Sequence, residues 1–475
     1  MVFNSFSFLV FLPVVLAGHA LLQGRALRYW LLIMSYVFYG WRQPWWYLAL
    51  LFTSSVLDYT VTNCMAGSKS PRARKAWLLL SIVGNLGLLC TFKYLAYLAN
   101  TANTLSSWLH LGFSAPVPHL PLPVGISFYT FQTMSYTIDV YRGRLPAEKN
   151  FVTMALFVAY FPQLVAGPIE RAGNLMAQVA AKQSRSVDDI LQGGCRVAYG
   201  LLKKVIFADW LAVLVNKVYA NPGSASTWDL VLATYGFAFQ IYLDFSAYSD
   251  IAIGSARMMG IHIMENFRWP YLSRTISEYW QRWHISLSTW LRDYLYFPLG
   301  GSRRGVRRTV LNVFIVMLLG GLWHGASHTF IFWGLWLGLG IALYHIYRVF
   351  VLGGKKDDIN RPLAWSDTIP ILITFHWMLM SRVFFRAQSI HEAFYIIGRF
   401  FHPWGAPTFS VPMEDVTRSI IFMGLTMLAH LGGRLGFRLT DLRSPVPVGA
   451  FLGAAAALTL VLFAPTGEKF IYFQF

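Results

Sequence analysis

Long apolar runs constrain this chain more than any other feature of its sequence. They cover residues 6–22, 45–61, 77–98, 228–253 and 446–463. A helix needs ~20 mostly apolar residues to cross the hydrocarbon core of a bilayer. Only 13% of the 475 residues are charged, against about 25% in soluble domains. The sequence therefore predicts an all-α, polytopic membrane protein whose solvent is membrane lipid.

Clusters of Arg and Lys between the apolar runs predict the orientation of the chain. These clusters lie at residues 25–28, 69–75, 142–149, 203–204, 303–308, 355–356 and 434–443. Because cytoplasmic loops are enriched in positive charge, we place all of them inside, which gives about eleven spans and outside N and C termini. This distribution also explains the net charge of +18 without a nucleic-acid partner.

Two apolar stretches are too short or too interrupted to cross a bilayer simply. Residues 151–167 end among prolines, and residues 310–323 form a helix only about 20 Å long. Such pieces are typical of broken or re-entrant helices that line a protein cavity. We expect one membrane domain over residues 1–475, with these short helices around a central funnel or tunnel.

A polar segment at residues 278–301 combines cations, aromatic rings and His284. Arg282, Trp283 and Arg292 are candidates for binding a phosphate-bearing carrier such as coenzyme A, through forked hydrogen bonds and ring stacking. Trp323, further along the chain, is a fourth candidate for the same role. An interfacial amphipathic helix anchored by Trp and Arg explains the segment equally well. The three cysteines lack metal-ligand spacing, so we expect no metal site.

His324 lies among glycines at residues 320–326, at the end of an apolar run, with Trp323 beside it. An ionisable residue at membrane depth is expensive and indicates function, and a histidine can serve as a general base. A structural histidine at a helix end is the alternative. His284 is the second catalytic candidate and has the same two interpretations. Gly334, in the next apolar run, predicts close helix packing.

Three further residues have both functional and structural interpretations. Asp244 and Asp250 lie in an apolar run, where they either orient a catalytic histidine or belong to a buried hydrogen-bond network that holds spans together. Tyr472 lies in the aromatic C terminus, residues 470–475. This terminus should dock onto protein, where the Tyr472 hydroxyl could accept an acyl group or serve as an interfacial anchor.

Two segments resemble the histidine motifs of the membrane-bound O-acyltransferase (MBOAT) family. They are residues 283–301 and 321–325, which contain His284 and His324 respectively. Residues 1–5, 160–171, 244–250, 384–387 and the C terminus are similar to the bacterial alginate O-acetyltransferase branch. The resemblance covers essentially the whole chain.

The resemblance implies acetyl-CoA as donor substrate, with no other cofactor, and His324 as the active-site histidine. His284 falls on the second motif histidine. The resemblance also implies a bacterial inner membrane, periplasmic termini, an SGNH-type periplasmic partner that acetylates a polysaccharide, and Tyr472 as an acyl relay. D-alanyl transfer, a polysaccharide transporter or flippase, and a non-catalytic scaffold are the alternatives.

Overall fold

The computed structural model describes residues 1–437, apart from 42, 166, 356 and 403–407, together with residues 453 and 470. Regular structure in this part of the chain is helical, and it contains no strand. The all-α prediction is therefore confirmed for the described residues. The predicted span at 446–463 falls outside them except at residue 453, and Tyr472 also lies outside.

Nineteen α-helices follow one another along the described residues. The first ten are α1 (Phe6–Leu21), α2 (Gly24–Gly40), α3 (Trp46–Gly67), α4 (Pro71–Lys93), α5 (Leu95–Trp108), α6 (Ile126–Tyr141), α7 (Phe151–Ala159), α8 (Phe161–Leu164), α9 (Ala172–Ala180) and α10 (Val187–Leu202). The others are α11 (Asp209–Ala220), α12 (Thr227–Arg257), α13 (Ile276–Trp280), α14 (Ile285–Leu291), α15 (Gly305–His324), α16 (His328–Phe350), α17 (Thr368–Arg386), α18 (Ile390–Arg399) and α19 (Met413–Arg434).

Six helical segments of the described residues are long and apolar enough to cross a membrane. They are Pro71–Lys93, Thr227–Arg257, Gly305–His324, His328–Phe350, Trp365–Arg386 and Met413–Arg434. The protein is therefore a polytopic membrane protein, as predicted. The finer prediction of about eleven spans stays a prediction.

The chain divides into two compact units. Unit 1 comprises Met1–Gly194 and Ala252–Met264, and unit 2 comprises Cys195–Ile251 and Glu265–Phe475. Every candidate site residue that the structure describes belongs to unit 2. The prediction of a single membrane domain stays a prediction.

A buried carboxylate joins three helices of unit 1. Asp58 of α3 is fully buried and accepts hydrogen bonds from Ser81 and Asn85 of α4 and from Thr137 of α6. A buried polar group is costly unless it is hydrogen-bonded. These three donors therefore hold α3, α4 and α6 together.

The predicted break within residues 151–167 is confirmed. α7 ends at Ala159 and α8 begins at Phe161, and Tyr160 between them has φ −52° and ψ 109°, outside the helical region. Pro162 lies in the first turn of α8, where its missing N–H removes no helical hydrogen bond.

The prediction that residues 310–323 form a helix too short to cross a membrane simply is wrong. α15 is continuous over 20 residues, about 30 Å, and is one of the six candidate spans. The sequence prediction began at Val310 because Arg307 and Arg308 precede it. Both belong to the first turn of α15, and Arg307 is exposed, so the helix extends into polar surroundings through its long charged side chains.

The interpretation of Lys203 and Lys204 as a positive loop is also wrong. Both form part of a π-helical turn, Lys203–Ala208, and only 7% and 1% of their surfaces are exposed. They pair with Asp250 and Asp244 of α12. Because the partners lie about forty residues further along the chain, local charge counting could not reveal the pairing.

Candidate active site

His324 is the last residue of α15, and α16 begins at His328. Glycines let the two helices approach closely. A Cβ on Gly321 would lie 2.3 Å from the carbonyl oxygen of Phe330, and a Cβ on Gly334 would lie 2.4 Å from that of Met317. No larger residue fits at such distances, so the predicted packing role of Gly334 is confirmed.

Aromatic rings enclose the imidazole of His324. Its ring centroid lies 4.8 Å from that of Trp333 on α16 and 5.5 Å from that of Phe385 on α17, both at steep interplanar angles. Only 6% of His324 is exposed. The predicted base therefore lies in an apolar, water-poor environment, in which electrostatic interactions are strong.

His284 is fully buried and lies directly before α14. Its φ of 43° and ψ of 54° place it in the left-handed region, which is uncommon for a non-glycine residue and marks strain at many functional sites. The ring packs 4.6 Å, edge to face, from Phe245. Its Nδ1 lies 3.2 Å from Oδ1 of Asn266.

The structure brings the two histidines to the same indole. Trp323 is 4% exposed, and its ring centroid lies 6.2 Å from that of His284 and 4.9 Å from that of His324. The two motifs are forty residues apart in sequence, yet they form one buried cluster. The sequence named all three residues and could not place them together.

Burial keeps His284 neutral at physiological pH. The residue lies between the candidate spans that end at Arg257 and begin at Gly305. Loss of hydration lowers the pKa of His284 to about 3, because burial disfavours the charged imidazolium. A neutral imidazole is the form that can accept a proton.

Trp283 is the centre of an aromatic stack that sequence reasoning described only in part. Its ring is nearly parallel to that of Tyr279 at 5.7 Å, and the guanidinium of Arg382 lies 4.3 Å from its centroid. Arg382 also donates to the Tyr279 hydroxyl and is 2% exposed. Arg382 was not predicted from the sequence, although a cation within the apolar run of α17 was a usable signal.

Arg282 is held by protein groups on three of its nitrogen atoms. Its Nε lies 2.9 Å from Oε1 of Glu278, while Nη1 and Nη2 donate to the carbonyl oxygens of Arg268 and Ile359. Glu278 also pairs with Arg274 at 2.9 Å. These contacts stabilise the motif that carries His284. The predicted role of Arg282 in donor binding stays a prediction.

Arg292 lines a cavity of about 640 Å³ in unit 2. Arg348 and Trp280 are also part of its lining. The Trp280 ring lies 6.5 Å from Trp333, which in turn contacts His324. The volume is in the range of small-molecule sites, and Arg292 is more than half exposed while its Nε contacts Asp293. The lining of this cavity therefore contains two cations, and it is linked to His324 through the rings of Trp280 and Trp333.

Asp244 and Asp250 form buried ion pairs with lysine and arginine side chains. Asp244 lies 2.9 Å from Nζ of Lys204, and Asp250 lies 2.5 Å from Nζ of Lys203 and 2.9 Å from Arg196. A buried charge is retained when it is paired and hydrogen-bonded. These pairs connect α12 to α10, which contains Arg196, and to the π-helical turn that contains both lysines. The predicted orienting role of both aspartates stays a prediction.

Phe470 is the one described residue of the C-terminal aromatic segment, and it packs against α12. Phe470 is 1% exposed, stacks on Tyr248 at 4.1 Å and lies 5.8 Å from Phe245, which contacts His284. Tyr472 lies outside the described residues.

The protein is polytopic and helical, and it holds two buried histidines around one indole beside a cation-lined cavity. These are features of a membrane-embedded enzyme. Residues 45–385 match the MBOAT, membrane-bound O-acyltransferase family, and this stretch contains both histidine motifs. The chain therefore belongs to the MBOAT family and is an O-acyltransferase.

Curated relatives extend the similarity along the chain. The chain is 38% identical to the probable alginate O-acetylase AlgI of Pseudomonas putida, with 100% of both chains covered. It is 42% identical to that of Pseudomonas aeruginosa over 83% of this chain and 73% of the relative. It is 33% identical to the peptidoglycan O-acetyltransferase of Helicobacter pylori over 84% of this chain and 79% of the relative.

Proposed function

We propose that this protein takes acetyl groups from cytoplasmic acetyl-CoA and passes them across a bacterial inner membrane for O-acetylation of an exported or periplasmic polysaccharide. The observation that carries the proposal is the buried cluster of His284, Trp323 and His324 beside a cation-lined cavity. The names of the relatives, an alginate O-acetylase and a peptidoglycan O-acetyltransferase, favour acetyl as the group transferred.

The cavity lined by Arg292 and Arg348 is the proposed site of the donor. Guanidinium groups suit phosphate oxygens because they donate two parallel hydrogen bonds. Ser302 and Thr309, at the start of α15, also line the cavity and adjoin the basic cluster at 303–308, which the positive-inside rule places in the cytoplasm. From Thr309 to His324 the helix rises about 22 Å, so a long flexible carrier such as coenzyme A suits this path.

His324 is the proposed general base. The oxygen of an acceptor hydroxyl attacks the thioester carbonyl carbon while His324 takes the hydroxyl proton. The new C–O bond forms, the C–S bond breaks, and the imidazolium returns its proton to the departing thiolate. The thioester supplies the driving force, and the rings of Trp333 and Phe385 keep out water that would hydrolyse it.

Tyr472 is the proposed first acceptor, and an SGNH-type periplasmic partner is proposed to complete the transfer to polymer. Support comes from Phe470, which docks two positions earlier on rings that contact His284. In this scheme the Tyr472 ester carries the acetyl group outward, and the partner selects the polysaccharide, whether alginate-like, cellulose or peptidoglycan.

The proposed topology has about eleven spans around a funnel, with periplasmic N and C termini. The six candidate spans and the basic clusters other than the one at 203–204 support it. A cysteine introduced at Val2 should react with a membrane-impermeant maleimide in spheroplasts, whereas one introduced at Arg304 should not. The reverse pattern would contradict this orientation.

The test of the proposed function is acetyl transfer from radiolabelled acetyl-CoA to the purified protein in detergent. We expect label on the wild type and on Tyr29→Phe, a control at an exposed tyrosine, and none on Tyr472→Phe. Label that survives Tyr472→Phe would move the acceptor elsewhere. Label from a D-alanyl carrier alone would assign D-alanyl transfer, and polysaccharide transport without an acyl donor would assign a flippase.

A further inference from the structure

The side chain of Asn266 has an orientation that its partners determine. Asn266 is fully buried in the connection between α12 and α13. Its Oδ1 lies 3.2 Å from the backbone nitrogen of Ser286 and 2.9 Å from the Ser286 hydroxyl. A backbone N–H can only donate, so the atom that faces it is the amide oxygen and not the amide nitrogen.

This oxygen fixes the position of the proton on His284. Nδ1 of His284 lies 3.2 Å from Oδ1 of Asn266, and an amide oxygen only accepts hydrogen bonds. The Ser286 hydroxyl lies 3.4 Å from the same Nδ1, but its one hydrogen is donated to Oδ1 of Asn266 at 2.9 Å. Nδ1 must therefore carry a hydrogen of its own. In a neutral imidazole with Nδ1 protonated, Nε2 holds the lone pair.

The backbone of Asn266 supports the same arrangement. Its carbonyl oxygen accepts the N–H of Ile285 at 3.0 Å, so Asn266 accepts the first two backbone N–H groups of α14. These bonds hold the chain where His284 adopts its left-handed conformation. Asn266 thus sets both the direction of the ring and its tautomer.

We propose that Asn266 is a positioning residue that holds His284 as the Nδ1–H tautomer and presents Nε2 as a proton acceptor. Such a nitrogen cannot donate a hydrogen bond to the oxyanion of the acyl-transfer intermediate, which requires donors. His284 can therefore accept a hydrogen bond in the site through Nε2, while His324 remains the base that takes the proton of the acceptor hydroxyl. This catalytic consequence rests on the proposed function. The assignment of the tautomer rests only on the hydrogen bonds of Asn266.

The tautomer is measured directly by ¹⁵N NMR of histidine-labelled full-length protein at neutral pH, with His284→Gln to assign the signals. We expect a protonated Nδ1 and an unprotonated Nε2 for His284 in the wild type and in Ser286→Ala. This control removes the hydroxyl bond to Oδ1 and a 3.4 Å contact of the same hydroxyl with Nδ1, and it leaves the Asn266 acceptor in place. Asn266→Ala should give mixed or reversed tautomers.

A protonated Nε2 in the wild type would overturn the proposal, and so would an unchanged tautomer in Asn266→Ala or a changed one in Ser286→Ala. If Asn266→Ala does not fold, the tautomer is measured in Asn266→Asp and compared with the wild type. The carboxylate of this variant retains an acceptor for Nδ1, so we expect Nδ1 to stay protonated. Loss of the Nδ1 proton in that variant would also overturn the proposal.

Activity separates positioning from simple structural support. Hydrogen-bond partners that orient metal-bound histidines contribute about 10–100-fold. By analogy with them, we expect kcat of Asn266→Ala to fall by about that factor, with KM for acetyl-CoA nearly unchanged. Ser286→Ala should retain most of kcat, and equal losses in the two variants would contradict the proposal. Full activity in His284→Gln would refute the catalytic role of His284 and leave the NMR result standing.

Discussion

Replacing Gly334 by alanine is expected to separate α15 from α16 and displace His324. The added Cβ would lie 2.4 Å from the carbonyl oxygen of Met317 and 3.2 Å from Cα of Leu318. Nonbonded contacts are favourable at about 3.5–4.0 Å, so the helices must move apart by about 1 Å. Because both obstructing atoms belong to the backbone, no side chain can rotate away to relieve the clash.

The displacement should reduce the rate more than it reduces stability. Overpacking of this kind costs about 1–3 kcal/mol, whereas a 1 Å misplacement of a catalytic group can cost about 100-fold in rate. The measurement is the initial rate of acetyl transfer from labelled acetyl-CoA, normalised to folded protein from size-exclusion chromatography. Gly424→Ala is the matched control, because a Cβ at that position meets nothing within 4 Å. A wild-type rate in Gly334→Ala would refute the idea that close packing of α15 and α16 positions His324.

Three other predictions concern the buried pair of Lys203 and Asp250, the cavity residue Arg292 and the pKa of His284. Lys203→Met leaves the buried Asp250 with Arg196 as its partner and should destabilise the protein by about 3 kcal/mol, measured by thermal unfolding in detergent; an unchanged midpoint would contradict a stabilising pair. Arg292→Ala should raise KM for acetyl-CoA about tenfold with little change in kcat, and an unchanged KM would exclude Arg292 from the donor site. The pKa of His284 is about 3 when folded and about 6.5 when unfolded, so the unfolded state binds the proton first as pH falls. The contribution of His284 to the free energy of unfolding should then be highest above about pH 6.5 and fall by up to about 1.4 kcal/mol per pH unit down to about pH 3. A pH series of unfolding curves should show a slope that is smaller in His284→Gln than in the wild type by this amount, and equal slopes would contradict the prediction.

Local patterns predicted the helical membrane class and the residues of the site. Apolar runs of sufficient length specify helices, because a lipid-exposed backbone must satisfy its own hydrogen bonds. His324 could be named because an ionisable residue in an apolar helix is costly and indicates function. Gly334 could be named because small residues in such helices indicate close helix packing. The resemblance to a family then supplied the roles of His284 and His324.

Long-range partners could not be predicted from local patterns. Lys203 looks like a loop cation until α12 brings Asp250 against it. Asn266 carries no motif, and its importance depends on a contact with His284, eighteen residues away. Trp323 as the ring between two histidines is likewise a product of tertiary packing.

The most direct measurement of the proposed chemistry compares His324→Ala with His19→Ala. Both histidines are buried, at 6% and 1% exposure, and His19 lies in unit 1. We expect His324→Ala to abolish acetyl transfer from labelled acetyl-CoA while it elutes as a folded protein, and His19→Ala to retain transfer per folded molecule. Full transfer by folded His324→Ala would contradict the assignment of His324 as the catalytic base.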